Sequence, residues 1–517
     1  MAIDTNSSAS DIINLNNQRY QVEIYLINSN LRFKVPTGII NELLITESLY
    51  SVFPTGVLSI NNTGNVLENF VSDVSNELNE KIESSAYMFN SDGRDIFYIS
   101  IKPVDINEAL NTTFPDESWE IEGFFSIYDE EEVVNNAGGI KTKIFYIRDI
   151  REQLLMETTP QWSTILPLLE KFSSKINVSQ ISNELRSVET GLAIKHLLKT
   201  TLPYFVKEEN FASDWNTGIS KTFYTSTAND DAYDVLEYLL DQHISEHEDP
   251  CILLGERGGI ISLRPLETYF KNAYDKRSNN IGSYVVDAFS VNVATTPKKE
   301  FTSNVVEQYN LPPGIVQQFD GLSNFSYLNT ANSDSSLELR SVATHFYNFD
   351  KKEFNIISKD GHILTARQKF QELYTDNMPG TRPQTILPLN DNKIVNKTVE
   401  NVFSPEQSRM NTLQDSKTKT LNKILSLAPS ISFDVTGSTA RRPGRFILMM
   451  VNNVDTNSSF GKIFPGEWLI TTVNHVFLFS KNLYQNTVTC AKPFAINNIL
   501  PDQVLNSYED YYEESIR

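Results

Sequence analysis

The feature that most restricts the fold is a two-residue alternation of apolar and polar side chains that recurs across the first 150 residues. In YQVEIYLIN, Tyr20, Val22, Ile24 and Leu26 share one face and Gln21 and Glu23 the other, the pattern of a half-buried strand. LRFKV repeats it, and after Pro36-Thr37-Gly38 the stretch IINELLITESLYSVFPTGVLSINNTGN reads as two strands joined across Pro54-Thr55-Gly56. A polar stretch from Asp73 to Glu83 follows. DIFYISIKPV, WEIEGFFSIYDEE and, beyond the turn Asn135-Asn136-Ala137-Gly138-Gly139, KTKIFYIRDI continue the series. About seven short strands in roughly 130 residues fit a β-barrel or sandwich and not an α/β nucleotide fold.

Beyond Arg151 the periodicity changes. ETGLAIKHLLKTTL has the apolar spacing of a short amphipathic helix. From Asp230 to Ser245, Val235, Leu236, Leu239, Leu240 and Ile244 form one stripe, with Asn229 placed as an N-cap and Asp249-Pro250 as the stop. CILLGERGGIISLRPL then reads as a hairpin about Gly258-Gly259. Strand patterns return from residue 281, in GSYVVDAFSVNV and SLELRSVATHFYNFD, and again in GRFILMMVNNV, GEWLITTVNHVFLF and NLYQNTVTCAKPF. Between them, Ser404-Pro405-Glu406-Gln407 has a capping-box spacing and opens a helix carrying Met410, Leu413, Leu421, Ile424 and Leu427, which Pro429 ends.

The expected architecture is mixed β with α: two β-barrel units joined by an α+β middle region, with a helical insertion in the second. The expected boundaries are an amino-terminal arm over 1–17 that orders only against a neighbour, a first barrel over 18–150 and a middle domain over 151–280. The second barrel comprises 281–360 and 431–495, the helical insertion 361–430, and an acidic tail 496–517.

Composition narrows the function. With 44 Lys+Arg against 65 Asp+Glu, the net charge of −21 disfavours tight binding to phosphate backbones. Cys251 and Cys490 are far apart and in no CxxC spacing, so neither a disulfide framework nor a cysteine zinc site is expected. The start MAIDTNSSASDIINLNNQ lacks the charged segment and apolar run of a signal peptide, and no window approaches 18 uninterrupted apolar residues. The sequons at Asn61, Asn111 and Asn324 then read as chance in an Asn-rich chain.

Candidate chemistry is sparse. His243, Glu246 and His247 match H-x-x-E-H, in which two histidines one helical turn apart hold zinc and the glutamate acts as base. Both histidines also continue the row Val235, Leu239 at the edge of an apolar face, and Pro250 cuts the helix short, so packing is the simpler reading. His196, His345, His362 and His475 are solitary. There is no G-x-S-x-G and no Walker sequence, and Gly255-Glu256-Arg257-Gly258-Gly259 sits in a hairpin rather than before a helix. Asp129-Glu130-Glu131-Glu132 and Glu208-Glu209 read as solvated faces. Arg441, Arg442 and Arg445 form the one basic cluster, a solvated turn or a contact to a phosphate or to a partner's carboxylate.

Four stretches in order carry a family resemblance: LLITESLYSVFPTGVLSINNTGN; WEIEGFFSIYDEE with KTKIFYIRDIREQLL; FYTSTANDDAYDVLEYLLDQ with ILLGERGGIISLRPLETYF; and GRFILMMVNNV with GEWLITTVNHVFLFSKNLYQNTVTCAKPF. Together they resemble the central baseplate hub of contractile-tailed bacteriophages and the hub portion of type VI secretion spike proteins. The resemblance implies a non-enzymatic virion protein without cofactors, assembled in the host bacterial cytoplasm into the tail baseplate. It further implies a homotrimer whose paired barrels form a pseudo-sixfold ring between the tail tube protein and the spike protein, touching other baseplate subunits. DNA would pass through its acidic lumen, with no stable membrane insertion. The stretch 361–430 has no counterpart in the family pattern. The readings set against this one are a zinc-dependent peptidase or cell-wall hydrolase using His243, Glu246 and His247, and a receptor- or carbohydrate-binding tail protein suggested by 22 Tyr and 30 Phe.

Overall fold

The computed structural model describes residues 11–16, 18–28, 31–64, 95–104, 119–135, 139–160, 188–218, 221–222, 230–243, 245, 251–265, 269, 285–292, 317–319, 323–329, 341–348, 353–360, 384–386, 429–452 and 466–491. The amino-terminal strands are β1 (Asp11–Leu15), β2 (Gln18–Asn28), β3 (Leu31–Lys34), β4 (Ile40–Ser48), β5 (Thr55–Asn61), β6 (Asp95–Pro103), β7 (Ile121–Asn135) and β8 (Ile140–Asp149). A middle region follows, with α1 (Ile150–Glu157), β9 (Val188–Glu189), α2 (Thr190–Thr201), β10 (Lys221–Thr222), α3 (Ala232–Gln242), β11 (Cys251–Gly255) and β12 (Ile261–Pro265). Then come β13 (Val285–Asn292), β14 (Gln317–Phe319), β15 (Ser323–Asn329), β16 (Ser341–Asn348), β17 (Glu353–Asp360) and β18 (Gln384–Ile386). The last strands are β19 (Pro429–Thr436), β20 (Phe446–Asn452), β21 (Gly466–Leu478) and β22 (Leu483–Ala491). The helix expected from Ser404 to Leu427, and the tail 496–517, lie outside the described residues.

The protein is mostly antiparallel β, with a large sheet and three α-helices among the described residues. Antiparallel neighbours run β2, β6, β7, β8, β5, β4. Each strand turns its alternate apolar residues the same way. Val22, Ile24 and Leu26 on β2 meet Leu58 and Ile60 on β5 and Phe145 and Ile147 on β8 in one buried cluster. Strands that are not hydrogen-bonded neighbours share this core, so the sheet curls into a half-barrel. The free edge of β4 pairs with β21, from Thr472 opposite Ser48 to Phe477 opposite Leu43. Phe477 and Tyr484 complete the amino-terminal core, their rings stacked with centroids 4.1 Å apart.

The expected free arm is in part a strand. β1 folds back on β2 through Asn16, whose φ of 51° is the left-handed value that asparagine tolerates. The Asn16 amide donates to the Asn482 carbonyl at 3.2 Å, and its side chain donates to the Tyr484 carbonyl. Ordering therefore comes from the chain's own carboxyl-terminal hairpin.

A second core packs α1, α2 and α3 against β11 and β12 through Leu155, Ile194, Leu197, Leu236, Leu239 and Leu263. Phe53, from the β4–β5 turn, inserts into it. Gly191 opens α2 where a Cβ would stand 2.3 Å from the Asn216 carbonyl oxygen, so only glycine allows that approach. α3 begins later than the apolar stripe suggests, because Asp231 and not Asn229 caps it, accepting from the Asp234 amide at 2.8 Å.

Candidate functional site

The first histidine of the motif does not lie within the helix. α3 ends at Gln242, and His243 is its C-cap with φ −72° and ψ 127°, so the helical frame such a site requires stops before its first ligand. His243 is buried, with Nε2 3.1 Å from Asn216 Oδ1, while Glu246 and His247 lie outside the described residues. Among the described residues no three His, Cys, Asp or Glu side chains are grouped to hold a metal ion. The acidic run on β7 is part of a cross-strand ladder, with Lys143 3.5 Å from Glu130 and Lys141 3.4 Å from Glu132.

The arginine cluster is not a solvated turn. Arg441 is 1% exposed and Arg442 8%, and only Arg445 is half-buried. Arg441 reaches inward to the Thr436 carbonyl and to Asn486 Oδ1 at 2.8 Å.

It borders a buried polar junction that joins three distant segments. Glu47 comes from β4, Arg257 from the turn between β11 and β12, and His475, Tyr484 and Asn486 from β21 and β22. Arg257 donates Nε and Nη2 to the two oxygens of Glu47 at 2.9 and 2.6 Å, a bidentate fork, and Nη1 to the Thr439 carbonyl. His475 Nε2 lies 3.0 Å from Glu47 Oε2, and its Nδ1 lies 2.7 Å from the Tyr484 hydroxyl and 2.9 Å from Asn486 Nδ2.

Arg257 Nη2 also lies 3.2 Å from His475 Nε2, so the contacts admit two neutral tautomers: Nε2–H donating to the carboxylate with Nδ1 accepting from Tyr484 or Asn486, or Nε2 accepting from Arg257 with Nδ1–H donating to the Tyr484 hydroxyl. The imidazole is then neutral. Burial lowers the His475 pKa, and the neighbouring Glu47 offsets this only in part. Burial alone would raise the Glu47 carboxyl, but the Arg257 charge and the hydrogen bonds from His475 and Arg257 outweigh it and hold it well below the usual carboxylate range. Burial also pushes the Tyr484 hydroxyl up.

Hydroxyl, imidazole and carboxylate in this order resemble a nucleophilic triad. Here His475 and Tyr484 are both 0% exposed, and Tyr484 is stacked on Phe477, so a substrate atom has no route to the hydroxyl. Chemically the arrangement is a fastener. Cys490 is likewise buried, which raises its thiol pKa and leaves it inert.

None of this junction except the neighbouring Arg441 stood out in the sequence. The signal available was phase. Glu47 continues the inward row Leu43, Ile45, His475 stands between Val473 and Phe477, and Asn486 stands between Tyr484 and Val488. Polar residues at inward positions of three strands require partners from one another.

No family model and no curated protein matches the sequence. Solved structures do. A tail protein from Neisseria meningitidis MC58 is similar at TM-score 0.46 and 8% identity, over 92% of this chain and 97% of that one. The 43 kDa tail protein of prophage MuSo2 from Shewanella oneidensis is similar at TM-score 0.46 and 10% identity, over 91% of this chain and 98% of that one. An E. coli component of the type VI secretion system, described as similar to the T4 bacteriophage tail proteins gp27 and gp5, follows at TM-score 0.35 and 7% identity, over 88% of this chain and 74% of that one. Phage tail and type VI secretion proteins are what this chain is similar to.

Proposed function

We propose that the chain is a structural protein of a contractile tail, the baseplate central hub. In this role it adapts a hexameric tail tube to a trimeric spike and lines part of the channel for DNA ejection. The observation that carries the reading is the pairing of β4 with β21, pinned by Glu47, Arg257 and His475. It joins the strands of both ends of the chain and the middle hairpin into one stiff body, which suits a part that transmits force between a tube and a spike. Two barrel units per chain, three chains and a pseudo-sixfold ring are the assembly this reading requires. A net charge of −21 suits a lumen past which DNA slides without adhering. The role needs no cofactor and no catalytic group.

Electron microscopy of the purified chain, alone and mixed with tail tube and spike proteins, tests the proposal. Threefold rings with an axial channel are expected. Stable monomers under every condition would exclude it.

A further inference from the structure

A row of aromatic rings crosses the outward face of the half-barrel. Tyr25 on β2 stands opposite Tyr98 on β6, and Tyr98 opposite Phe124 on β7. The centroids are 6.2 Å apart for Tyr25 and Tyr98 and 5.0 Å for Tyr98 and Phe124, and Phe205, after α2, continues the row 6.5 Å from Phe124. The chain neighbours Leu26, Phe97 and Phe125 belong to the core, so the row lies on the opposite face of the sheet. Phe124 is 38% exposed and Tyr204, next to Phe205, 92%. Large apolar side chains gathered at one exposed face mark an interaction surface.

The charge beside the rings decides what can cover them. Two residues along each strand, Glu23 and Glu122 stand on either side of Ser100. Each nearby carboxylate accepts from a neutral donor: Glu122 from the Tyr98 hydroxyl at 2.7 Å, Glu120 from the Ser100 hydroxyl, and Glu23 from the Gln21 amide at 3.3 Å. Among the described residues none of the three is in an ion pair, whereas Glu130 and Glu132 farther along β7 face Lys143 and Lys141. Burial first, and then the hydrogen bond and charge of Glu122 and the charge of Glu120, raise the Tyr98 pKa. Negative charge without a counter-charge therefore borders the ring pair Tyr98–Phe124.

The protein satisfies the same combination of ring and carboxylate elsewhere with its own arginine. Arg151 lies over Phe53, 4.4 Å from the ring centroid, and donates Nε and Nη2 to the two oxygens of Asp149 at 2.9 and 2.7 Å. Arg148 lies over Tyr128 at 4.0 Å. A planar guanidinium can lie flat on a ring while its edge donates to a carboxylate, which a lysine ammonium cannot do. Phe124 has rings on both sides and, among the described residues, no cation over it.

We propose that the face formed by Tyr98, Phe124 and Phe205, with Glu120 and Glu122 at its border, is a docking surface for an arginine-bearing segment of another polypeptide. The guanidinium lies on the rings and donates to the carboxylates. A second copy of a chain with net charge −21 is a poorer occupant, because it brings like charge to the carboxylates. A neutral sugar could stack on the rings but would leave that charge uncompensated. The inference uses only this face and stands apart from the hub reading.

Isothermal titration of the full chain with a blocked glycine peptide bearing two arginines tests it, beside the same peptide with lysines and beside maltohexaose. Phe124→Ala and Glu122→Gln alter exposed, outward side chains, so both variants should fold. Saturable binding of the arginine peptide is expected, weakened about ten-fold in each variant and unchanged in Glu132→Gln, which removes a charge from the ladder instead. The loss in Phe124→Ala, at unaltered net charge, separates docking from general attraction to an acidic chain. No saturation in the wild type would overturn the proposal, as would equal binding in wild type and Phe124→Ala. Equally tight binding of the lysine peptide would overturn the arginine assignment. Saturable maltohexaose binding that Phe124→Ala abolishes would assign the face to carbohydrate, and self-association in sedimentation that the same variant abolishes would assign it to a second copy. Either result would also overturn the proposal.

Discussion

The half-barrel of β2 to β8 and the seam between β4 and β21 are built on the same two-residue alternation but held in different ways. In the half-barrel the inward positions are mostly apolar, with Asp95, Lys143 and Asp149 as the buried charged residues at strand ends or next to the acidic ladder, and neighbouring strands are also nearer in sequence. At the seam, Glu47, His475 and Asn486 occupy inward positions, and the strands they join lie more than 400 residues apart, as the Thr46 to Asn474 contact at 2.9 Å shows. Apolar burial is non-directional and tolerates many registers, whereas a bidentate ion pair tolerates one. The ion pair thus specifies which strand closes the open edge of β4, at a desolvation cost.

If that contrast holds, the largest loss comes from stranding a charge at the seam. Arg257→Ala takes from Glu47 its ion-pair partner and leaves only the His475 contact, and chemical denaturation should show a loss of about 3–5 kcal/mol. An effect under about 1 kcal/mol would mean that water reaches the carboxylate and the seam is not closed.

In the half-barrel, Leu58→Ala should cost about 2–5 kcal/mol through lost burial and the cavity it leaves. Unlike the seam, that cost should be the same between about pH 4 and 8, since what is lost is apolar packing against Leu43 and Phe145 on the neighbouring strands.

The seam itself should weaken in acid. His475 is held neutral with a lowered pKa, so the unfolded chain takes up a proton below its ordinary value of 6.5 while the folded chain does not. Its contribution is complete above pH 6.5 and falls as pH drops toward the folded value. Glu47, also lowered, adds a second loss below its ordinary 4.5. A stability-versus-pH curve should show both declines, and His475→Gln should flatten the upper one.

The smallest effect belongs to the surface ladder of β7 and β8. Lys141→Ala removes an exposed pair with Glu132 and should change stability by no more than about 1 kcal/mol.

Much of the half-barrel was legible in the sequence because its information is local. The runs beginning at Tyr20, Leu31, Asp95 and Lys141 coincide with β2, β3, β6 and β8, and the glycine turn at Gly258-Gly259 separates β11 from β12. What the sequence concealed was long-range or terminal. His475 looked solitary because its partners, Glu47 and Arg257, come from other parts of the chain. The helix expected to reach Ser245 stops at Gln242, because His243 turns into the second core beside Asn216 instead of continuing the stripe. Arg441 and Arg442 looked solvated because charge suggests exposure, and only the Thr436 and Asn486 oxygens on adjoining strands reveal why Arg441 can be buried.

The central claim is that a buried ionic junction fastens the two ends of the chain into one body, and hydrogen exchange measured by mass spectrometry tests it most directly. In the wild type, amides of β4 and of Val473–Phe477 in β21 should be as protected as those of β6. In Arg257→Ala the β4 and β21 amides should lose protection together, while β6 and β7 keep theirs. Loss of protection in β21 alone, or uniform loss across the half-barrel, would contradict the account.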